Sequence, residues 1–139
     1  MMVSTKGRYA LRVMIDLAEH NQGQYIPSRD IAGRQMISEK YLESILATLT
    51  RAGLLQGVRG KGGGYRLTRP LSECSVGEIL RLTEGSLAPV SCLDGDTNAC
   101  PRAGQCSTLP MWEKLDRLIN GYLDSVRLSD LLGEDATKL

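Results

Sequence analysis

Three cysteines lie close together in the second half of the chain, and their thiols are its most chemically suggestive groups. Cys92, Cys100 and Cys106 follow the spacing C-x7-C-x5-C within the segment CLDGDTNACPRAGQC. The Gly, Asp, Asn and Pro residues of this segment are typical of a loop. Thiolates are the usual ligands of iron–sulfur clusters, and the spacing lacks the C-x2-C typical of zinc ribbons. The loop is therefore a candidate iron–sulfur site, with free thiols on an exposed loop as the alternative.

The length and composition indicate one globular domain with an aliphatic core. The 139 residues are 42% hydrophobic, and the aromatic residues are one Trp and five Tyr with no Phe. No run is long enough to span a membrane, and the polar, basic start MMVSTKGRYALR does not resemble a signal peptide. We therefore expect a cytoplasmic protein, in which clustered cysteines favour metal or redox chemistry over disulfides.

The small net charge of +1 conceals an uneven distribution of charged residues. Residues 1–70 contain 11 Lys or Arg against 5 Asp or Glu, whereas residues 71–139 contain 6 against 11. A basic N-terminal half favours a polyanion partner. Because an unevenly charged solvated surface would give the same pattern, the assignment depends on finding a binding motif.

Hydrophobic periodicity predicts a mainly α-helical chain with one small β-hairpin. The predicted elements of the first half are helices over residues 4–20, 28–35 and 39–53 and strands over 55–59 and 64–68. Ser28 and Ser38 are the expected N-caps of the second and third helices. The strands flank a glycine-rich turn, as in a hairpin. Two short helices followed by a hairpin indicate a winged helix-turn-helix.

The second half predicts two further helices around the cysteine loop. Ser75 and Glu78 form a capping box at the start of the first. The other is a long amphipathic helix whose apolar stripe suits a partner helix as well as an intrachain core. Its predicted dimer interface comprises Trp112, Leu115, Ile119 and Leu123. The expected regions are a winged helix-turn-helix over 1–83, a cysteine-bearing sensor loop over 84–108, a dimerisation helix over 109–127 and a short turn and tail over 128–139.

The start of the third helix and the hairpin contain most of the residues predicted to contact DNA. A recognition helix enters the major groove with its N-terminal residues, and an Arg in a wing suits a narrow minor groove. The predicted contacts are Ser38, Glu39, Lys40, Tyr41 and Glu43 in the helix, Arg59, Gly60 and Lys61 in the wing, and Lys6 and Arg8 in the first helix. Taken alone, the helix also fits an ordinary amphipathic helix with a polar outer face. The glycine turn is not a Walker loop, because Lys61 is followed by Gly62 and a strand.

Several motifs together resemble the IscR, NsrR and CymR group of winged-helix repressors over nearly the whole chain. They are STKGRYAL, SEKYLE, VRGKGGGYRL, VGEIL and the clustered cysteines before MWEKL. The resemblance implies a homodimer crossed by long C-terminal helices, major-groove reading by residues 38–44 and minor-groove insertion of Arg59. For the cluster-sensing members, it implies that the three cysteines hold a [2Fe–2S] or [4Fe–4S] cluster.

The cysteine loop departs from that group in its spacing and at the fourth ligand. Members that use a histidine place it three residues after the last cysteine, where this chain has Leu109. Others take a carboxylate from the partner's first helix, where this chain has Arg8. The first cysteine gap is also two residues longer than the group's usual five. The fourth ligand is therefore unassigned, and the candidates are Asp94, Asp96, Ser107, Cys74 or an external thiol.

These observations lead us to expect a DNA-binding transcriptional regulator, a repressor in the resembling group, that senses iron–sulfur or thiol status. Its partners would be a second copy of the chain and a pseudo-palindromic double-stranded DNA site. It would not be an enzyme, because the single histidine, His20, ends a helix and the carboxylates show no catalytic spacing. The alternatives are a cluster-free regulator of cysteine metabolism controlled by a partner protein, and an iron–sulfur carrier or electron-transfer protein.

Overall fold

Five helices and one two-stranded hairpin make up the fold in the computed structural model, which describes residues 2–133. The elements are α1 (Thr5–Glu19), α2 (Ser28–Gln35), α3 (Glu39–Arg51), β1 (Leu55–Val58), β2 (Gly64–Leu67), α4 (Val76–Glu84) and α5 (Leu109–Ser125), with short 3-10 turns at Leu71–Glu73, Ser91–Leu93 and Leu128–Leu131. The predicted fold class, mainly α with a β-hairpin wing, is confirmed. The tail over 134–139 lies outside the described residues. Between residues 2 and 133, the structure contains no helix with the length and apolar character needed to cross a bilayer.

Serine side chains fix where three of the helices begin. Ser4, Ser38 and Ser75 each accept a hydrogen bond from the backbone N–H three residues later, which satisfies one of the free N–H groups of the first turn. The predicted capping box at α4 is wrong in one half. The Glu78 carboxylate does not return to the Ser75 backbone but pairs with Arg69, because a nearby guanidinium is the stronger partner.

The turn between α2 and α3 contains a strained backbone position. α2 begins at Ser28 itself, so the prediction that Ser28 is the N-cap of this helix is wrong. Pro27 occupies that place without a side-chain hydrogen bond. At the other end, Met36 adopts φ 57° and ψ 46° and is 90% exposed. A left-handed conformation costs an L-residue about 1–2 kcal/mol. Ile37 is buried directly afterwards and fixes the turn against the core.

An aliphatic core surrounds α1, which contacts α2, α3, β2 and α4. The fully or almost fully buried residues of the first three helices are Ala10, Val13, Met14, Leu17, Ile31, Leu42, Ile45, Leu46 and Leu49. Burying one aliphatic side chain of this size stabilises a fold by about 1.5–3 kcal/mol. The apolar spacing of α3 predicts burial of Leu42, Ile45, Leu46 and Leu49, and these four residues are buried. The opposite face of α3 is therefore available to solvent or a ligand.

The wing is fastened to the connection between α1 and α2. β1 and β2 pair antiparallel, with Leu55 opposite Leu67. Ile26 and Tyr65 exchange two backbone hydrogen bonds of 2.8 Å, so an isolated β-bridge joins the connection to the hairpin. Gly64 has φ +147°, and a Cβ there would lie 2.2 Å from the Ile26 carbonyl oxygen. This close approach requires glycine.

The long helix α5 is attached to the winged helix by an ion pair and by the chain that follows it. The Arg81 guanidinium on α4 donates to the two carboxylate oxygens of Asp124 at 2.7 and 2.9 Å and to Asn120 Oδ1 at 2.7 Å. Val126 and Leu128 are buried in the core. The C-terminal end of α5 is thus held against α4.

Candidate nucleic-acid interface and cysteine loop

The predicted recognition residues of α3 lie on its exposed face. Ser38, Glu39, Lys40, Tyr41 and Glu43 are all exposed, while the apolar side of the helix is buried in the core. The left-handed turn before α3 and its serine cap direct the first turn outward. The structure therefore presents hydroxyl, ammonium, phenol and carboxylate groups together at the start of one helix, and these groups suit base edges and phosphates.

The wing tip and the start of α3 face the same groove. A cavity of about 510 Å³ lies between them, and its lining includes Glu39 from α3 and Gly60 and Gly64 from the wing. Arg59, Gly60 and Lys61 are exposed at the wing tip. The structure thus brings the two predicted DNA-contacting segments, separated by about twenty residues in sequence, to one surface.

Two residues that sequence reasoning missed line the same groove. Ser28 and Arg29, at the start of α2, face it, and the Arg29 side chain is 79% exposed. The general geometry of a helix-turn-helix could have indicated these two residues, because its first helix crosses the phosphate backbone. Arg29 therefore adds a positive charge to this groove.

Arg66 stabilises the wing through contacts within the protein. Its guanidinium donates to Gln56 Oε1 at 3.1 and 3.0 Å, across the strand pair, and lies 4.5 Å from the centre of the Tyr25 ring. A guanidinium over an aromatic face is stabilised by the ring electrons. Arg66 thus braces the hairpin, whereas Arg59 and Lys61 remain available at its tip.

Lys6 and Arg8 lie in the first turns of α1, and neither is among the residues that line the groove. This end of α1 rests on the end of α4. Both the backbone N–H and the hydroxyl of Ser4 donate to Glu84 Oε1, at 3.0 and 2.5 Å. A Cβ at Gly7 would lie 2.5 Å from the same oxygen. The start of α1 is therefore joined to Glu84, which is the last residue of α4 and the first residue of the predicted loop region.

The three loop cysteines are free and partly exposed. Cys92 lies in the 3-10 turn Ser91–Leu93, and the N–H of Cys100 donates to Asn98 Oδ1 at 2.9 Å. Cys106 lies just before α5, with its Sγ 3.3 Å from Thr108 Oγ1. The Thr108 hydroxyl, followed by nearby backbone N–H groups, lowers the pKa of Cys106. The Cys106 thiol is therefore more readily ionised than an ordinary cysteine thiol.

The loop supplies suitable donor chemistry without a closed metal site. Three thiols are the right ligand type for an iron–sulfur cluster. Within residues 2–133, however, no three His, Cys, Asp or Glu side chains lie together as a metal site would need. Of the candidate fourth ligands, Cys74 is fully enclosed in the core, and this burial raises its pKa. Asp94 and Asp96 line a cavity of about 350 Å³ beside α4 and α5.

The apolar stripe of α5 divides into two faces. Ile119 and Leu123 pack against the chain's own core. The exposed apolar residues are Met111, Leu115, Leu118 and Tyr122, which are between 37% and 59% exposed. Their spacing of four, three and four residues is the heptad spacing of a helix–helix seam. Of the four predicted interface residues, Leu115 lies on this exposed face, and Trp112 is half-buried.

Comparison with known proteins connects this geometry to one family. A family described as Rrf2, iron-dependent transcriptional regulator, matches residues 3–134. The regulator IscR of Photobacterium profundum is 36% identical over 135 residues, covering 97% of this chain and 77% of that protein. Among solved structures, CymR, the global cysteine regulator of B. subtilis, superposes with a TM-score of 0.75 at 33% identity, covering 94% of this chain and 95% of CymR. T. potens IscR superposes with a TM-score of 0.73 at 38% identity, covering 98% and 88%.

These relatives confirm the resemblance seen in the sequence. They are named transcriptional regulators, a non-enzymatic class of protein, and the expectation that the chain is not an enzyme agrees with them. A regulator of this kind binds DNA, as the winged helix-turn-helix requires. The chain belongs to the Rrf2 family of DNA-binding transcriptional regulators.

Proposed function

We propose that the chain is a homodimeric repressor that reads a pseudo-palindromic DNA site and responds to iron–sulfur or thiol status through its cysteine loop. One observation supports the assignment of the DNA-reading surface. The exposed start of α3 and the wing tip open on one groove, in the half of the chain that has excess positive charge. An iron–sulfur carrier would leave this groove and its charge unexplained.

Several exposed residues of the surface have side chains whose chemistry suits a particular contact with DNA. Lys40 would contact guanine or phosphate, and Glu43 would accept a hydrogen bond from cytosine N4. Tyr41 would donate to a phosphate oxygen. Arg59 would enter the minor groove, while Gly60 lets the backbone approach the sugar–phosphate chain. Lys6 and Arg8 remain predicted DNA contacts, although they are not among the residues that line the groove.

Replacing Arg59 with Ala should weaken DNA binding by about 1–3 kcal/mol, the usual cost of one specific groove contact. Fluorescence anisotropy with a labelled operator measures the change. Arg117→Ala removes the same charge from an exposed position of α5 and should leave the affinity close to wild type. Equal affinities for Arg59→Ala and wild type, with the fold intact by circular dichroism, would remove Arg59 from the interface.

The proposed dimer forms through the exposed seam of α5. Leu118→Glu places a charge in the middle of the seam and should raise the dimer dissociation constant at least about 30-fold, because burying an unpaired carboxylate is costly. Light scattering at micromolar concentration reads out the mass. The neighbouring variant Arg117→Glu is the matched control and should remain dimeric. A wild-type protein that is monomeric under these conditions contradicts the proposal.

The proposed sensor is the set of three loop thiols. When bound, an iron–sulfur cluster supplies an oxygen- and redox-sensitive group. Cys92, Cys100 and Cys106 would hold it after the loop brings them together, and Asp94 or Asp96 is a candidate fourth ligand from the same loop. The similarity to proteins named IscR supports this assignment. A change in the loop would shift α5 and with it the spacing of the two recognition helices.

Replacing any of the three loop cysteines with Ser should abolish or greatly reduce iron content, since a hydroxyl is a poor substitute for a thiolate. Cys74→Ser is the matched control and should leave iron unchanged, because this thiol is enclosed in the core. Absorbance spectra with iron and sulfide analysis of anaerobically purified protein give the result. Colourless protein after anaerobic reconstitution would contradict the sensor assignment.

A cluster-free regulator is the second candidate. It is supported by the arrangement of the cysteine loop, in which no three metal-ligating side chains are gathered within residues 2–133. The positions that hold a fourth ligand in cluster-binding members are Leu109 and Arg8, and the described residues contain no gathered metal site. CymR, named for cysteine regulation, is also similar to this chain in structure. In this case none of the three Cys→Ser substitutions would change the affinity for the operator, and a partner protein would supply the regulatory signal.

A further inference from the structure

Asp16, in the middle of α1, is a charged residue whose side chain is completely buried. Its carboxylate accepts hydrogen bonds from Arg34 Nε and Nη2 at 3.0 and 2.8 Å and from Gln35 Nε2 at 2.8 Å. A buried carboxylate is tolerated only when it is paired and hydrogen-bonded. Both donors belong to the last turn of α2, so Asp16 holds the end of the helix that precedes the recognition helix.

Gln35 also accepts hydrogen bonds from Arg12, which lies on α1 one turn before Asp16. Arg12 Nε donates to Gln35 Oε1 at 3.0 Å, and Arg12 Nη2 donates to the Gln35 backbone carbonyl. A carbonyl in the last turn of a helix has no partner within that helix, and the guanidinium supplies one. Gln35 directly precedes Met36, the left-handed residue. The strained turn is therefore held by side chains of α1.

Arg12 also connects this turn to the recognition helix through two aromatic rings. Its guanidinium carbon lies 4.8 Å from the centre of the Tyr9 ring. The Tyr9 ring meets the Tyr41 ring edge to face, with centroids 6.0 Å apart and planes at 90°. Both arrangements are energetically favoured for such pairs. Tyr41 is the third residue of α3 and donates its backbone N–H to the Ser38 cap.

We infer that the linked residues Asp16, Gln35, Arg12, Tyr9 and Tyr41, here called the α1 relay, fix the direction in which the start of α3 meets DNA. Arg12 and Tyr9 act in it as positioning residues, without any need to touch a base or a phosphate. The inference rests on the proposed function of α3 as the recognition helix. It goes further by placing part of the determinant of recognition on α1, outside the helix-turn-helix.

Arg12→Lys separates positioning from simple charge. Lysine keeps the positive charge and can reach a phosphate, but it has no planar fork to hold both oxygens of Gln35 and lies less well on an aromatic ring. If Arg12 positions α3, Arg12→Lys and Arg12→Met should both weaken operator binding by about fivefold to tenfold. The salt dependence of binding by Arg12→Lys should stay as in wild type. Wild-type affinity of Arg12→Lys overturns the inference, and weaker binding by Arg12→Met alone would make Arg12 a phosphate contact.

Tyr9 gives a second, independent measurement with its own conservative variant. Tyr9→Phe keeps the ring that meets Arg12 and Tyr41, and its operator affinity should stay within about twofold of wild type. Tyr9→Leu keeps an apolar side chain but loses the ring, and its affinity should fall about fivefold. Circular dichroism and thermal melts identify any variant that fails to fold. A folded Tyr9→Leu with wild-type affinity also overturns the inference.

Lys40→Ala, measured in the same titrations, distinguishes failure of the relay from failure of the proposed function. Lys40 is exposed on α3 and is outside the relay. Weaker binding by Lys40→Ala with unchanged binding by the Arg12 and Tyr9 variants rejects the relay and leaves the recognition helix in place. Unchanged binding by Lys40→Ala and Glu43→Ala rejects α3 as the reading helix. Weaker binding by Lys40→Ala and by the relay variants supports both.

Discussion

Gly64→Ala should lower the free energy of unfolding by about 2–4 kcal/mol and abolish specific DNA binding. Gly64 combines a φ of +147° with a backbone approach so close that a Cβ would lie 2.2 Å from the Ile26 carbonyl oxygen and 2.7 Å from the Pro27 nitrogen. Backbone atoms cannot turn aside as a side chain can. The hairpin must therefore detach from the connection between α1 and α2, and the wing tip loses its position relative to α3.

Gly62→Ala is the matched control for this prediction. Gly62 also has a positive φ, of +77°, but a Cβ there meets nothing within 4 Å. Only the conformational penalty remains, about 1 kcal/mol. Urea denaturation compares the two stabilities, and anisotropy titration compares the affinities. If the two variants lose the same stability, the Ile26 contact is not what requires glycine at position 64.

Asp16→Asn should lower the free energy of unfolding by about 2–3 kcal/mol at pH 7, because the Arg34 guanidinium loses its charged partner inside the fold. Burial alone would raise the pKa of Asp16. Hydrogen bonds from Arg34 and Gln35, with the charges of Arg34 and His20, outweigh burial and hold the pKa below its ordinary value. The exposed, loosely paired Asp30 gives a matched control, Asp30→Asn, which should change stability by less than about 0.5 kcal/mol.

The lowered pKa of Asp16 also determines how the difference in unfolding free energy between wild type and Asp16→Asn depends on pH. A carboxyl whose pKa is lower in the folded state stabilises the fold above its unfolded pKa, about 3.9, and the stabilisation is lost as the pH falls through the folded value. The gap between wild type and Asp16→Asn should therefore be full at pH 7 and shrink in acid. Asp124, whose pKa Arg81 lowers, is present in both proteins and cancels. A gap that is constant down to pH 3 would contradict this account.

Local patterns in the sequence were enough to predict the winged helix. The apolar spacing of α3 identified all four of its buried residues, and serine caps identified the starts of α3 and α4. The glycine-rich turn identified the hairpin because positive φ angles restrict the choice of residue. The sequence wrongly predicts Ser28 as the N-cap of α2, because Pro27, with its fixed φ, occupies the N-cap position without a side-chain oxygen.

What the sequence did not predict depends on contacts between distant residues. The division of α5 into a core face and an exposed face follows from where α4 packs, so Ile119 and Leu123 cannot be told apart from Leu115 by spacing alone. The polar network of Asp16 joins residues 12, 16, 34 and 35 and leaves no pattern in a single sequence. Arg29 and the brace of Arg66 on Tyr25 likewise require the folded hairpin and helices to be in place.

The double hydrogen bond from Ser4 to Glu84 has a consequence for how the two ends of the regulator influence each other. Glu84 is the last residue of α4 and the first residue of the predicted cysteine-bearing loop region, 84–108. Any loop ligand that moves Glu84 must change the energy of the α1 terminus, and any DNA that holds the α1 terminus must change the energy of Glu84. Thermodynamic linkage makes these two effects equal. If the loop is the proposed sensor and the α1 terminus contacts DNA as predicted, the operator would be an allosteric effector of the sensor. DNA-bound and free protein would then bind the same loop ligand with different affinities.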